Sequence, residues 1–198
     1  MLERTATTRG SLDAATITRL LAIPSRQLRR LTRMVDLLLD AARVESERLE
    51  LHLERVDLCE VVHDVVGRLA ETARAAGCDL QVSRCPPVVG RFDRLRLEQV
   101  VQNLLTNAIK YGGSRVEVET RLIDHVAVLT VRDHGAGIGP EDRQTVFEPF
   151  RRLPVDAAED GAGLGLYIVR EIVRAHGGSI GIDDTPGGGA AFTVRLPA

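Results

Sequence analysis

Residues 102–111 read QNLLTNAIKY. On a helix, Asn103 and Asn107 stand four apart and therefore one above the other on a single face. Lys110 follows on nearly the same side and is the only lysine of the chain. Asparagine weakens a helix interior relative to the leucines and alanines around it, so two at this spacing call for a chemical reason. Amide oxygens suit Mg2+, which prefers oxygen ligands and keeps waters while it bridges phosphates. A lysine ammonium is a point charge for the same phosphates.

Three glycine-bearing segments lie far apart: DHGAGIG at 133–139, GAGLGL at 161–166 and HGGSIG at 176–181. GAGLGL opens a helical pattern, and free backbone N–H groups at a helix start, approached through glycines, make a phosphate site. It lacks the Gly-Lys-Ser/Thr ending of a P-loop and the preceding strand of a dinucleotide fingerprint. Asp133 ends an apolar strand and runs straight into Gly135 and Gly137. A carboxylate there can accept from an exocyclic amine beside a flat ring, or it can stabilise its own turn.

These residues need elements to hold them. The pattern predicts a helix over Asp57–Ala76 stopped by Gly77, and a strand in CDLQVS broken by Pro86-Pro87. A second helix over Asp93–Tyr111 is stopped by Gly112-Gly113. Two alternating segments, SRVEVETRL and HVAVLTVRD, form an antiparallel pair, and residues 133–163 read as loops with one helical turn near Glu141–Phe147. A helix over 164–175 and two closing strands follow. Strands mixed with helices, with hairpins present, predict an α+β fold, one sheet covered by helices on one face.

Before this lies an a/d seam: Leu21, Leu28, Val35 and Ala42, with Leu31 and Leu38 between them. Pro24 interrupts it, and Met34, Leu37 and Leu39 widen the apolar surface, so this helix wants a partner helix. The chain divides into a stub at 1–12, an interaction helix at 13–50 and a domain at 51–198. A net charge of −2 gives no reason to expect nucleic acid, and Arg26, Arg29, Arg30 and Arg33 read as a solvated face. With aromatics at 3%, the core must be aliphatic. Cys59, Cys78 and Cys85 are odd in number without paired spacing, which argues against a disulfide framework or zinc site and fits a reducing, cytoplasmic setting. No apolar run approaches a membrane span.

In this order and at these separations, NLLTNAIKY, DHGAGIG, FEPF and GAGLGL resemble the N, G1, F and G2 boxes of bacterial two-component sensor histidine kinases. The resemblance covers about residues 57–198 and implies an ATP-binding catalytic domain, a two-layer α/β sandwich with a mixed, mostly antiparallel sheet, with ATP and Mg2+ as cofactors. By position it implies that Asn107 is the metal ligand, that Asn103 supports metal and phosphates, and that Lys110 contacts phosphate. Asn103 and Lys110 would carry the catalytic role. Tyr111 would pack on adenine, Asp133 would read its amino group, and Gly135, Gly137 and Ile138 would shape that pocket. Gly161, Gly163, Leu164, Gly165 and Leu166 would flank the phosphates. Phe147 and Phe150 would anchor a lid over about 151–162, with Arg151 or Arg152 reaching the phosphates. ATPases of this fold carry a Glu where this chain has Asn103, which cannot act as a base, so slow ATP hydrolysis is implied.

The seam helix resembles the second helix of that family's dimerisation domain. The first helix, with the phosphoacceptor histidine, has no counterpart in residues 1–12, so Met1 is expected to fall just after it. His63-Asp64 lacks the rest of the acceptor motif and reads as surface. His176, at a helix end, reads as a cation complementing the dipole. His52, His125 and His134 lie in connector or loop contexts. The resemblance implies transfer to a histidine supplied by a partner chain or a missing segment, a response regulator downstream, and a dimer or hetero-oligomer through residues 13–50. A nucleotide-gated interaction module without catalysis is the alternative.

Overall fold

The computed structural model describes residues 50–152 and 163–198; the stub, the seam helix up to residue 49, and most of the expected lid lie outside them. Strand β1 (Glu54–Asp57) leads directly into helix α1 (Leu58–Ala75). Asp57 caps α1 by accepting from the Cys59 N–H at 2.9 Å, and the same oxygen accepts from the Val88 N–H at 2.9 Å. After β2 (Asp79–Arg84), the short β3 (Val89–Phe92) pairs back on β1 as a two-stranded antiparallel ribbon. The sequence patterns do not predict this ribbon.

Helix α2 (Arg94–Tyr111) packs on α1 on one side and on α3 (Gly165–Ala175) on the other. The five-stranded sheet is completed by β4 (Arg115–Ile123), β5 (Val126–Asp133), β6 (Ser179–Asp184) and β7 (Ala190–Pro197), in the order β2-β4-β5-β7-β6. Only β2 runs parallel to its neighbour β4; the other pairings are antiparallel. Asp124 and His125, both with positive φ, make the two-residue turn between β4 and β5. The fold is the two-layer α+β sandwich expected.

Alternation gives the sheet two characters. Ala127, Leu129, Val131 and Asp133 lie on one side of β5, opposite Leu122, Thr120, Val118 and Val116 of β4. That side closes the core with Val61, Val62 and Val65 of α1, Leu97, Val101, Leu104 and Leu105 of α2, and Ile168 and Ile172 of α3, all buried. Asp133 therefore ends the core-facing row. On the other side, Glu119 pairs with Arg132 at 2.7 Å and Arg121 at 2.9 Å. Burial tends to raise the Glu119 carboxyl, but the two guanidiniums outweigh it and hold the group below the usual carboxylate range. Glu117 is held lower chiefly by its hydrogen bond with His134.

One sequence expectation is corrected. Cys59 and Cys85, 26 residues apart, form a disulfide with a Cα–Cα separation of 5.4 Å, while Cys78 stays free and buried. Spacing rules detect neighbouring pairs; here α1 and β2 form a return that carries position 85 back to the start of α1. His176, at the end of α3, is engaged at both ring nitrogens: Nδ1 lies 2.8 Å from the Ile172 carbonyl, and Nε2 lies 3.1 Å from the Asp93 N–H. Asp93 also caps α2 through Arg96 N–H at 3.1 Å and accepts from His52 N–H at 2.9 Å, tying connector, α2 and α3 at one point.

Candidate functional site

Helix α2 is the axis of the site. Its buried stripe faces α1, α3 and the sheet, which leaves Asn103, Asn107 and Lys110 half-buried along the edge of that stripe. At the Asn103 end, α3 begins. A Cβ built on Gly165 would stand 3.6 Å from Asn103 Oδ1, so the amide lies across from the first residue of α3. The residue preceding that helix is Leu164, whose own side chain makes no capping bond. The first N–H groups of a helix and the positive end of its dipole favour an anion. Leu164 itself is only 1% exposed, so its side chain belongs to the core and only its backbone borders the site. Leu166 is half-buried.

At the other end, α2 stops against the turn after β5. Gly112 packs on Asp133, and Gly135 packs on the Tyr111 carbonyl and the Gly112 backbone so closely that any side chain at 135 would collide with main chain. The smallness of Gly135 thus serves the joint between helix and turn. Asp133, 7% exposed, accepts from the Gly135 N–H at 3.0 Å and the Ala190 N–H at 3.1 Å, both through Oδ1. The self-stabilising turn and the acceptor reading are therefore compatible: one oxygen holds the turn and the other is engaged by no described residue. From Asn103 to Tyr111 the helix rises about 12 Å, the scale of an extended nucleoside triphosphate.

Beyond Asp133 the turn walls a cavity of about 370 Å³ lined by Gly137, Ile138, Arg143, Thr185 and Gly189 among others. Three of these residues, Arg143, Thr185 and Gly189, are not singled out by the sequence. Arg143 donates Nε–H to the Ile138 carbonyl at 3.1 Å and pairs with Asp184, tying the turn to β6. The Thr185 hydroxyl is buried and, among the described residues, is the one buried side-chain polar atom with no hydrogen-bond partner. A buried orphan hydroxyl is costly unless something enters to meet it. In sequence, Thr185 reads only as the lead-in to a Pro-Gly turn.

Other expected site residues are placed less uniformly. Lys110 Nζ donates to the Tyr111 hydroxyl at 2.7 Å and lies 4.6 Å from its ring centroid. Phe147, in the single helical turn Thr145–Phe147, is buried, whereas Phe150 has a φ of 62° and is 63% exposed. Phe147 thus anchors that turn and Phe150 does not. Arg151 lies 3.5 Å from Asp142, and Arg152 is exposed. The chain returns at Gly163, whose φ of 69° suits glycine, against the backbone of Phe150 and Arg151. Gly161 lies outside the described residues.

Residues 92–198 match the family model described as histidine kinase-, DNA gyrase B-, and HSP90-like ATPase. The signal transduction histidine-protein kinase AfsQ2 of Streptomyces coelicolor is 36% identical over 86% of this chain and 31% of its own length. The sensor histidine kinase TmoS of Ectopseudomonas mendocina is 34% identical over 84% of this chain and 18% of its own. The chain thus spans under a third of these relatives. Among solved structures, full-length ShkA in complex with AMPPNP superposes with a TM-score of 0.82 at 29% identity, covering 95% of this chain and 40% of that one. The mycobacterial sensor histidine kinase MprB, at 34% identity and a TM-score of 0.64, is covered over 97% of its solved chain by 73% of this one. The matched stretch exceeds half of the 198 residues, and on that ground the chain belongs to the histidine kinase-, DNA gyrase B- and HSP90-like ATPase family, among relatives that are sensor histidine kinases.

Proposed function

We propose that this chain is the Mg-ATP-binding catalytic part of a two-component histidine kinase, and that it transfers the γ-phosphate to a histidine on a partner chain or on a segment outside this sequence. The observation that carries the reading is the start of α3 lying across from the amide-bearing face of α2. N–H donors and a helix dipole favour the phosphates on one side, and Asn103, Asn107 and Lys110 line the other. At the far end, the second oxygen of Asp133 accepts the adenine amino group, and the orphan Thr185 hydroxyl is available to the bound base or its water.

The donor set fits a hard cation: neutral amide oxygens beside an anion site, with no thiol or imidazole among the residues lining it. Asn107 would ligate Mg2+ and Asn103 would support it; the ion would supply charge neutralisation for the phosphates. The residues of this chain then bind and orient. Lys110 leaves the Tyr111 hydroxyl to reach phosphate. Asn103 offers no base to activate water, so the bound nucleotide persists until an acceptor arrives. The five histidines of the chain support an external acceptor: His176 is engaged at both ring nitrogens, His134 is paired with Glu117, and His52, His63 and His125 sit apart from α2's amide face in connector, α1 and a turn. A response regulator would take the phosphate onward.

The test is incubation of the chain with γ-labelled ATP and Mg2+, with and without a separate histidine-bearing helical hairpin. Acid-labile label on the hairpin alone is expected. Tight nucleotide binding with no transfer to any hairpin would favour the interaction-module reading, and absence of nucleotide binding would sink both.

A further inference from the structure

Helix α1 carries two side chains that the nucleotide site does not use. Cys59 and His63 are four residues apart and so share one face of the helix over its first two turns. The end of β2 brings Cys85 onto that face. The two sulfurs and one ring nitrogen of His63 all lie within 4.8 Å of one another. Cys59 is buried, Cys85 half-buried and His63 exposed, which gives the cluster a closed floor and an open mouth. The Thr120 hydroxyl sits 3.4 Å from the Cys85 sulfur on the closed side.

We propose that Cys59, His63 and Cys85, once the Cys59–Cys85 bond is reduced, bind a zinc-class divalent metal ion, with a fourth position open to water. Zinc bound at about 2.3 Å to sulfur and about 2.0 Å to nitrogen needs ligand atoms roughly 3.5–3.8 Å apart. The three atoms are already inside an envelope only slightly larger, so side-chain rotation meets the requirement with the backbone in place. Two thiolates and an imidazole select a borderline-soft ion over magnesium or calcium. Cys59 sits in the first turn of α1, where the helix dipole favours its thiolate. The exposed imidazole supplies the entry path and leaves the fourth position to solvent.

Bond and ion exclude each other because they use the same sulfurs. A dithiol or phosphine reductant supplies two electrons, the S–S bond breaks, two protons are taken up, and the reductant leaves as its disulfide or, with water, its phosphine oxide. Binding of the ion then releases the two thiol protons. The cluster thereby senses metal only in a reducing setting.

The full chain, reduced with a phosphine and freed of it without air, would be titrated with Co2+ and back-titrated with Zn2+. The expected result is sulfur-to-cobalt charge-transfer absorption at one equivalent, discharged by one equivalent of Zn2+, and absent from the unreduced chain. Loss of an outer partner of a metal site costs roughly ten- to hundredfold in affinity, so Cys85→Ser and His63→Ala should lose at least that much. Cys78→Ala should lose nothing. His63 is exposed, so its variant folds even where Cys85→Ser does not. No charge-transfer band in the reduced chain, equal bands with and without reduction, or unchanged affinity in His63→Ala would each overturn the proposal.

Discussion

At the scale of the residue, Asn107 is the sharpest test of the nucleotide site. Alanine is the better helix former, so Asn107→Ala should keep α2 and the fold while Mg-dependent ATP binding, measured by calorimetry, falls below detection; wild-type affinity would remove Asn107 as the metal ligand. Asp133→Asn keeps an oxygen for the Gly135 and Ala190 N–H groups but turns the second acceptor into a donor. Loss of a hydrogen bond to a charged group costs about 1.5–3 kcal/mol, so ATP affinity should drop roughly ten- to hundredfold and its preference over GTP should shrink. A variant that still prefers ATP as strongly would exclude the amine contact. Asn103, Asn107 and Asp133 were legible because their types are unfavourable where they stand unless they do chemistry. Thr185 and Arg143 were not, since a threonine before Pro-Gly and an arginine in a polar loop are ordinary until β6 and β7 close around them.

At the scale of the element, the joint between the end of α2 and the turn after β5 sets the distance from phosphate end to base end. Gly135→Ala would push main chain against main chain, and overpacking of this kind costs about 1–3 kcal/mol. Thermal unfolding should show that loss together with weaker ATP binding; wild-type values of both would mean that the joint relaxes freely. Long elements with a clear period were readable: α1, α2, β4, β5 and α3 start and stop within a residue or two of their signals. The β1–β3 ribbon was not. Each of its strands is four residues long, too short for alternation to register, and the two are separated by a whole helix and strand.

At the scale of the whole molecule, the described domain closes its core from its own residues, from Val56 of β1 to Leu196 of β7. Removal of residues 1–50 should therefore leave ATP affinity within about twofold while docking to a histidine-bearing hairpin is lost; loss of ATP binding would refute the two-part organisation. The outer face of the sheet sets the acid limb of stability. Glu119 and Glu117 are more acidic folded than unfolded, so their contribution is complete above the ordinary carboxylate range and disappears as pH falls through the lower folded values. Tm should hold from neutral pH to about pH 5 and decline below about pH 4. Glu119→Gln should cost roughly 1 kcal/mol at neutral pH and flatten that decline; an acid limb as steep as wild type would show that the arginine pairs contribute little.

The sequence by itself determined the family boxes, the two-layer class, the aliphatic core and the amide-bearing face of α2, because each depends on local type and period. Tertiary structure alone decided which partners those pieces meet. It set Asn103 across from a helix start 62 residues further on, gave both ring nitrogens of His176 a partner, left Thr185 buried without one among the described residues, and joined Cys59 to Cys85. Each of these is a contact between segments remote along the chain, and contacts of that kind follow from how the layers stack, a property no window of sequence contains.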